Sequence, residues 1–388
     1  MRTAVIAIGK LAFLAMMIVS TAHAAIPSSE RTALIALYGS AGGNSWTNHT
    51  GWNGAVGTEC SWFGVKCDGI DSHVVGIELP NNNLTGTLGA QNALVAFTNL
   101  QDVDVHSDST SSTPNALTGS IPALSSLKSL QGFAASGNKL SGTIPVLTGL
   151  TSLQSFTVDS NALTGVLPAL TGLTNLQEFN ASDNKLTSTI PALTGLTNLR
   201  TFSVADNQLT GSIPLLTGLT SLQYFLVDGN QLSLGGIPAL PATLIQFGAG
   251  NNRLTGSLPL FTGLPLLESF DAHNNQLDGT IPVLTSLGSL EFFYVSGNKL
   301  TGTMPVVSTL TNLEAIALGG NSLTGPVTAA PDNLIPGASS LCPNGLQTTP
   351  SGNDAKWNAA TGLTNWYGTP FANNKCDDIF NNQFELTN

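Results

Sequence analysis

The sequence predicts a right-handed superhelix of stacked coils, an α/β repeat class that is mostly β, with a concave parallel sheet. Two observations predict it: the motif Asn-x-Leu returns at a fixed interval, and a pair of apolar residues at alternate positions precedes each asparagine. LTGLTSLQSFTVDSNALTGVLPA is followed directly by LTGLTNLQEFNASDNKLTSTIPA. One coil cannot bury its own apolar face, so we expect about 11 coils of about 23 residues to stack.

The repeated asparagine is the most informative polar position. From Asn115 onward the interval is 23 residues, except for one of 22 between Asn230 and Asn252. Buried backbone groups in the turn after each strand would cost about 1–3 kcal/mol each if left unpaired, and a side-chain amide can pair with them. We therefore expect a buried asparagine ladder at Asn82, Asn115, Asn138, Asn161, Asn184, Asn207, Asn230, Asn252, Asn275, Asn298 and Asn321.

The apolar positions predict a short strand in each coil. Phe156 and Val158 are two residues apart, so both side chains point to one face of a strand. The same pair recurs in other coils, for example at Phe202 and Val204. The complete pattern, L-x-x-L-x-x-L-x-L-x-x-N-x-L, is typical of a leucine-rich repeat.

A second signature follows the asparagine: LTGSIP at 117–122, LSGTIP at 140–145 and LTGTMP at 300–305. It resembles the plant-type leucine-rich repeat of receptor-kinase ectodomains and polygalacturonase-inhibiting proteins. The resemblance implies a second short strand at this signature. Each coil here is one residue shorter than the usual plant-type unit, so we expect a tighter convex side.

The two ends differ from the repeats and predict caps. Residues 25–73 contain an amphipathic stretch, Ser28–Gly39, followed by Trp46, Trp52 and Trp62, and they resemble the N-terminal cap of plant-type repeats. Residues 74–327 form the repeat array. In 328–388 the period is lost, and we predict a C-terminal cap there.

Residues 1–24 have the features of a secretory signal peptide. Arg2 and Lys10 are basic, Leu11–Val19 is apolar but too short to span a bilayer, and Ala22-His23-Ala24 is typical of a cleavage site. We therefore predict secretion, or a periplasmic location if the source is bacterial. The last residues, CDDIFNNQFELTN, resemble the ends of exported proteobacterial proteins and favour a bacterial source.

Composition excludes some partner classes. The net charge is −11, so the sequence lacks the basic footprint of a nucleic-acid binder. No segment after the leader is apolar enough to predict a membrane span.

Four cysteines follow the leader, and an even number in an exported protein suggests disulfides. They allow three pairings. Their positions near the two ends favour Cys60–Cys67 and Cys342–Cys376. Zinc is the weaker interpretation because the spacings do not match paired zinc-ligand motifs, and we predict neither metal nor cofactor.

The sequence contains no strong catalytic constellation. No H-E-x-x-H, G-x-S-x-G, P-loop or dinucleotide motif occurs in a suitable context. Asp271 and His273 are two residues apart on one predicted strand, but a serine partner is easy to find by chance in a Ser-rich protein. We therefore predict a protein that is not an enzyme.

The residues that flank the inward pair of each strand should lie on the concave face. Aromatic side chains are common anchors in protein interfaces, and surrounding acids suit a basic protein partner. The predicted ligand-binding residues are Tyr224, Leu226, Phe292, Tyr294, Glu178, Asp271 and His273. The leading hypothesis is protein–protein recognition on this face, and the alternative is that the aromatics are scattered surface residues.

Two further hypotheses remain open. Threonine and serine recur at two positions of the second signature, and two parallel hydroxyl rows could bind ice or a cell-wall polysaccharide. A polygalacturonase inhibitor is the narrower form of the protein-binding hypothesis, because the resemblance supports the scaffold only. The sequence does not predict the oligomeric state.

Overall fold

The computed structural model describes residues 25–89, 94–347 and 352–367. A first helix, α1, spans Ser28–Ser40, and a second, α2, spans Asp354–Thr361. Between them lies a solenoid of about 12 turns of roughly 23 residues, so the predicted fold class is confirmed. The predicted signal peptide, residues 1–24, and Cys376 lie outside the described residues.

One strand from each coil joins a 12-stranded sheet, which we call the long sheet. Neighbouring strands of the long sheet are parallel, except for the first two strands, which are antiparallel. The strands are Val65–Cys67, Val74–Glu78, Asp102–Asp104, Gly132–Ala134, Ser155–Thr157, Glu178–Asn180, Thr201–Ser203, Tyr224–Leu226, Gln246–Gly248, Ser269–Asp271, Phe292–Tyr294 and Ala315–Ala317.

The second signature forms shorter strands, which we call the second strand row. Their bounds are Thr85–Thr87, Ala116–Thr118, Ser141–Gly142, Ala162–Val166, Lys185–Thr189, Gln208–Thr210, Thr324–Gly325 and Gly345–Leu346. Single bridges such as Thr280 to Thr301 continue the row between Thr210 and Thr324.

A column of phenylalanines forms the centre of the core. Eight rings are stacked from coil to coil, with centroids 5.2–6.0 Å apart and interplanar angles of 13–20°. Each keeps at most 1% of its surface exposed: Phe133, Phe156, Phe179, Phe202, Phe225, Phe247, Phe270 and Phe293. These side chains point inward, so the residues on either side of each phenylalanine lie on the opposite, outer face of the long sheet.

The repeated asparagines bridge consecutive coils. Asn184 Nδ2 donates to the carbonyls of Val158, Ala181 and Ser182 at 2.9–3.3 Å. Its Oδ1 accepts from the Leu163 amide at 2.9 Å. One side chain therefore satisfies four backbone groups of two adjacent coils. Asn161 and Asn321 make the same contacts but are half-buried, whereas the sequence predicted buried side chains.

The array extends further than the sequence analysis placed it. Asn344, which follows Asn321 by 23 residues, accepts from the Leu323 amide and donates to the carbonyls of Leu318 and Leu341. Its coil pairs with the previous one through Gly345–Leu346. The predicted start of the C-terminal cap at residue 328 is therefore too early. Prolines and a cysteine in this coil hide the repeat pattern.

The N-terminal end is closed by α1 and a cluster of aromatic rings. Trp52 contacts Trp46 and Trp62, with centroids 4.9 and 5.2 Å apart. Buried Glu30 in α1 accepts from the Val74 amide at 2.8 Å and so attaches the helix to the first parallel strand. The predicted Cys60–Cys67 disulfide is present in this region.

Candidate functional site

The outer face of the long sheet is built from three columns of side chains. Strands at Tyr224–Leu226, Gln246–Gly248, Ser269–Asp271 and Phe292–Tyr294 pair in register. The first column therefore contains Tyr224, Gln246, Ser269 and Phe292, and the second contains Leu226, Gly248, Asp271 and Tyr294. A third column follows each strand and contains Asp228, Gly250 and His273.

Two apolar patches lie on this face. Tyr224 and Leu226 are half-buried and form the first patch. Phe292, also half-buried, lies beside Tyr294, with ring centroids 6.1 Å apart, in the second. Three strand steps separate Tyr224 from Phe292, about 14 Å at the usual strand spacing.

The prediction that Tyr294 is an exposed anchor is wrong. Only 6% of its surface is exposed, and it belongs to a small buried cluster with Ala315 and Ala317, against which Ala338 packs. The next coil has alanine at both positions, and the coil after it has Ala338 and Ser340, so the ring lies among small side chains. Burial raises the pKa of the Tyr294 hydroxyl, and the charges of Asp271 and Glu314 add to the rise.

Between the two patches lie Asp228, Asp271 and His273, which we call the acid–histidine cluster. His273 Nδ1 contacts Asp271 Oδ1 at 2.6 Å, and the His273 amide donates to the same oxygen at 2.9 Å. On the opposite side, Asp228 Oδ1 accepts from the Gly250 amide at 2.7 Å. All three side chains are half-buried.

Two glycines allow the cluster to form. A Cβ at Gly248 would lie 2.2 Å from Asp228 Oδ2, and a Cβ at Gly250 would lie 2.4 Å from His273 Nδ1. Any larger residue would occupy the space that these side chains use. The intervening coil therefore lets Asp228 approach Asp271 and His273 from two coils away.

The cluster has shifted pKa values. Burial raises the pKa of the Asp228 carboxyl to about 7, and the charge of Asp271 adds to the rise, against the opposing effects of the Gly250 hydrogen bond and His273. Burial lowers the pKa of His273, but the hydrogen bond and charge of Asp271, with Asp228, raise it more, so the net shift is upward. The cluster therefore changes charge near neutral pH.

From the sequence, Asp228 was predicted only as one of the surrounding acids, and not as a neighbour of Asp271 and His273. Its signal was indirect: the two outward positions of the next coil, Gly248 and Gly250, are both glycine. A similar pair near the N-terminus was not predicted either: His106 Nδ1 contacts Asp104 Oδ1 at 2.6 Å. The spacing Asp-x-His is the same in both places.

Other acids extend along the solenoid. Glu178, half-buried, accepts from the Ser155 hydroxyl at 2.9 Å and lies two strands before Tyr224, so it is not part of the cluster. Burial and the charge of Asp183 raise the pKa of the Asp206 carboxyl. Burial and the charges of Glu268 and Glu314 also raise the pKa of the Glu291 carboxyl.

The described cysteines do not offer a metal site. Cys60 and Cys67 lie close to Asp71. Their sulfurs are joined to each other, however, so they are not thiolate ligands. The predicted partner of Cys342 is Cys376, outside the described residues, so that pairing stays a prediction.

The second strand row presents exposed hydroxyls, but not as two straight rows. Thr189 pairs with Thr210, and Thr280 pairs with Thr301, so each strand is displaced by two residues relative to the one before it. The second hydroxyl of one coil thus lies beside the first hydroxyl of the next. Many of the first hydroxyls also donate to the previous coil, as Thr164 does to the Gly142 carbonyl at 3.2 Å.

Helices long and apolar enough to cross a membrane do not occur among the described residues. No protein-family model and no curated protein matches the sequence.

Solved structures do match. A TDR receptor is 28% identical, with a TM-score of 0.61, over 69% of this chain and 47% of that one. The plant peptide hormone receptor RGFR1, in complex with RGF2, is 29% identical, with a TM-score of 0.57, over 71% and 48%. This chain therefore spans about half the length of these receptor structures.

A plant ice-binding protein is also similar, at 23% identity and a TM-score of 0.54, over 79% of this chain and 90% of that one. Similarity at that level reflects a shared fold. The chain has the fold of a leucine-rich-repeat ectodomain.

Proposed function

We propose that this protein is an exported, non-enzymatic binding protein that recognises a basic protein segment on the outer face of the long sheet. One observation carries the proposal: half-buried Tyr224 and Leu226 on one side, and half-buried Phe292 on the other, flank the acid–histidine cluster on the outer face of the long sheet. Bacterial origin and the signal peptide stay predictions, because both ends of the chain lie outside the described residues.

The patches supply anchors. Tyr224 and Phe292 are already half-buried on this face, so a partner gains apolar contact with little loss of side-chain entropy. Their separation of about 14 Å suits an extended segment with two apolar side chains several residues apart.

The acids between the anchors set the partner's charge. Asp228 and Asp271 lie on this face. Glu268 and Glu291 lie directly before the strands Ser269–Asp271 and Phe292–Tyr294. A basic side chain placed between the anchors would relieve repulsion among these carboxylates. An acidic segment would add to it.

The structural relatives support a protein ligand. RGFR1 is a peptide hormone receptor whose structure was determined with RGF2 bound. Because this chain covers about half of that receptor, the relation supports the class of ligand and transfers no individual contact.

A displayed random-peptide library tests the proposal. The purified protein should enrich peptides with net positive charge and at least one aromatic or large apolar residue. Enrichment should disappear with Tyr224→Ala/Phe292→Ala. The matched control is Leu215→Ala/Leu260→Ala, which removes two apolar side chains that are 73% and 75% exposed and lie away from the long sheet. Equal enrichment by both variants, or no preference for basic peptides, contradicts the proposal.

The narrower form is inhibition of a secreted polysaccharide hydrolase, as in polygalacturonase-inhibiting proteins. It predicts that excess protein lowers polygalacturonase activity and that Tyr224→Ala/Phe292→Ala abolishes the effect. Unchanged hydrolase activity excludes this form and leaves other protein partners.

A further inference from the structure

The acids named above lie on or next to the long sheet, whereas four basic residues occupy one position of the second strand row. Each directly follows a ladder asparagine: Lys139, Lys185, Arg253 and Lys299. We call them the basic column. Exposed Asp278 also lies in this row, in the coil before Lys299.

The basic column is exposed and not neutralised. All four side chains are exposed, and none forms an ion pair within the described residues. Other basic residues do form such pairs: Arg31 with Glu59, Lys66 with Glu78 and Lys356 with Asp332. In a protein with net charge −11, four cations without an ion pair at one position of the repeat are available to a ligand.

The strand geometry places hydroxyls beside these cations. Lys185, Thr187 and Thr189 are exposed on one strand, while Leu186 between them is buried. The displaced register sets Lys185 opposite Thr164 of the preceding coil. A ligand on this surface therefore contacts ammonium or guanidinium groups and hydroxyls together.

The spacing along the solenoid suits a linear ligand. Lys139 and Lys185 are two coils apart, Lys185 and Arg253 three, and Arg253 and Lys299 two. At about 4.8 Å per coil across the strands, these steps are at least about 10, 14 and 10 Å. Because each strand is displaced by two residues, the cations follow an oblique line across the row that is at least about 34 Å long.

We propose that the second strand row binds a linear acidic polysaccharide. Its carboxylates would lie against the basic column, and its hydroxyls against the threonines and serines of adjacent coils. This surface is separate from the proposed peptide-binding face. Charge complementarity selects the ligand: the cations require an anion, and the hydroxyls suit sugar rings.

Ice fits this surface less well. Because each strand is displaced by two residues, the hydroxyls form short diagonal pairs instead of straight rows, and charged side chains lie beside them. Val166 and Asp278 also interrupt the hydroxyl positions. Binding to the flat, uncharged surface of ice would desolvate the basic column without giving its cations an ionic partner.

Affinity gel electrophoresis with two polymers of the same backbone tests the proposal. Carboxymethylcellulose in the gel should retard the protein, and hydroxyethylcellulose should not. Replacing the basic column, Lys139→Gln/Lys185→Gln/Arg253→Gln/Lys299→Gln, should weaken the affinity at least tenfold and flatten its salt dependence. The control, Lys66→Gln/Lys128→Gln/Arg200→Gln/Lys356→Gln, makes the same change in net charge and should retain most of the retardation.

Three results overturn the proposal. The first is equal retardation of the two variants, which makes the effect one of net charge. The second is equal retardation by the two polymers. The third is either of two findings: the protein binds single-stranded DNA more strongly than carboxymethylcellulose and loses that binding in the basic-column variant, or it shows thermal hysteresis that the basic-column variant retains. Those last outcomes would assign the surface to nucleic acid or to ice.

Discussion

Single residues decide the chemistry of the outer face. Asp271 and His273 belong to one coil and Asp228 to the coil two before it, and the coil between them leaves space for these side chains because it contributes Gly248 and Gly250. Sequence columns alone could predict Asp271 and His273 as outward residues. They could not predict that Asp228 lies beside this pair, because its position depends on the absence of side chains in another coil.

Asp228→Asn should stabilise the protein above neutral pH. An unfolded aspartate has a pKa near 3.9, and the folded Asp228 carboxyl has one of about 7. Between these values the folded state holds a proton that the unfolded state has released, so wild-type stability falls as pH rises from about 4 to about 7. We expect the variant to gain about 1–2 kcal/mol at pH 8 and nothing near pH 3.5.

Urea unfolding at the two pH values measures this difference. Asparagine can still accept the Gly250 hydrogen bond, so the comparison isolates the charge. Equal stability of the variant and the wild type at pH 8 would show that Asp228 is not held in an unfavourable charged state.

Two glycines with positive φ, one of them directly before ladder residue Asn138, carry a second residue-scale prediction. Gly137 has φ +69°, and a Cβ there would lie 1.9 Å from the Ser107 carbonyl oxygen. Gly172 has φ +85° but nothing within 4 Å of such a Cβ. Gly172→Ala should therefore cost about 1 kcal/mol from backbone strain alone, and Gly137→Ala about 3 kcal/mol or more. Thermal unfolding of the two variants would contradict this if their losses were equal.

At the scale of elements, the ladder joins each second strand to its neighbours. The 23-residue spacing could predict which asparagines take part, because their position in the unit never changes. The partial exposure of Asn161 and Asn321 depends on what covers each turn. The last coil, at Asn344, was not predicted because prolines and a cysteine hide its repeat pattern. The displacement between second strands was also beyond prediction, because the repeat length does not define how the coils pair.

Asn184→Ala should destabilise the array by about 3 kcal/mol or more, since it leaves several buried backbone groups without partners. Asn175→Ala is the control: its side chain makes one exposed hydrogen bond, to the Thr151 carbonyl, and its loss should cost less than about 1 kcal/mol. Chemical denaturation separates the two. Similar losses would mean that the ladder adds little to coil stacking.

For the whole molecule, stability depends on closed ends. The Cys60–Cys67 disulfide closes a short loop beside Trp62, and α1 is attached to the first parallel strand through Glu30. Cys60→Ser/Cys67→Ser should therefore cost about 2–3 kcal/mol. Hydrogen exchange should accelerate most at Val74–Glu78 and much less at Ser155–Thr157. Uniform acceleration along the solenoid would mean that the N-terminal end does not act as a local cap.

The exposed surface of the outer face was only partly predictable from the sequence. The period placed Tyr224, Leu226 and Phe292 correctly on the outer face. Tyr294 occupies an equivalent position, yet the small Ala315 and Ala317 beside it allow it to be buried. Which outward residues remain available to a partner therefore depends on the neighbouring coils, in addition to the position within one coil.

The most direct test of the binding account is the dissociation constant of one selected basic peptide, measured by fluorescence anisotropy at two salt concentrations. We predict binding that weakens with salt, at least tenfold weaker binding to Tyr224→Ala/Phe292→Ala, and unchanged binding to Leu215→Ala/Leu260→Ala. Equal dissociation constants for the three proteins would contradict the account and exclude the outer face as the binding site.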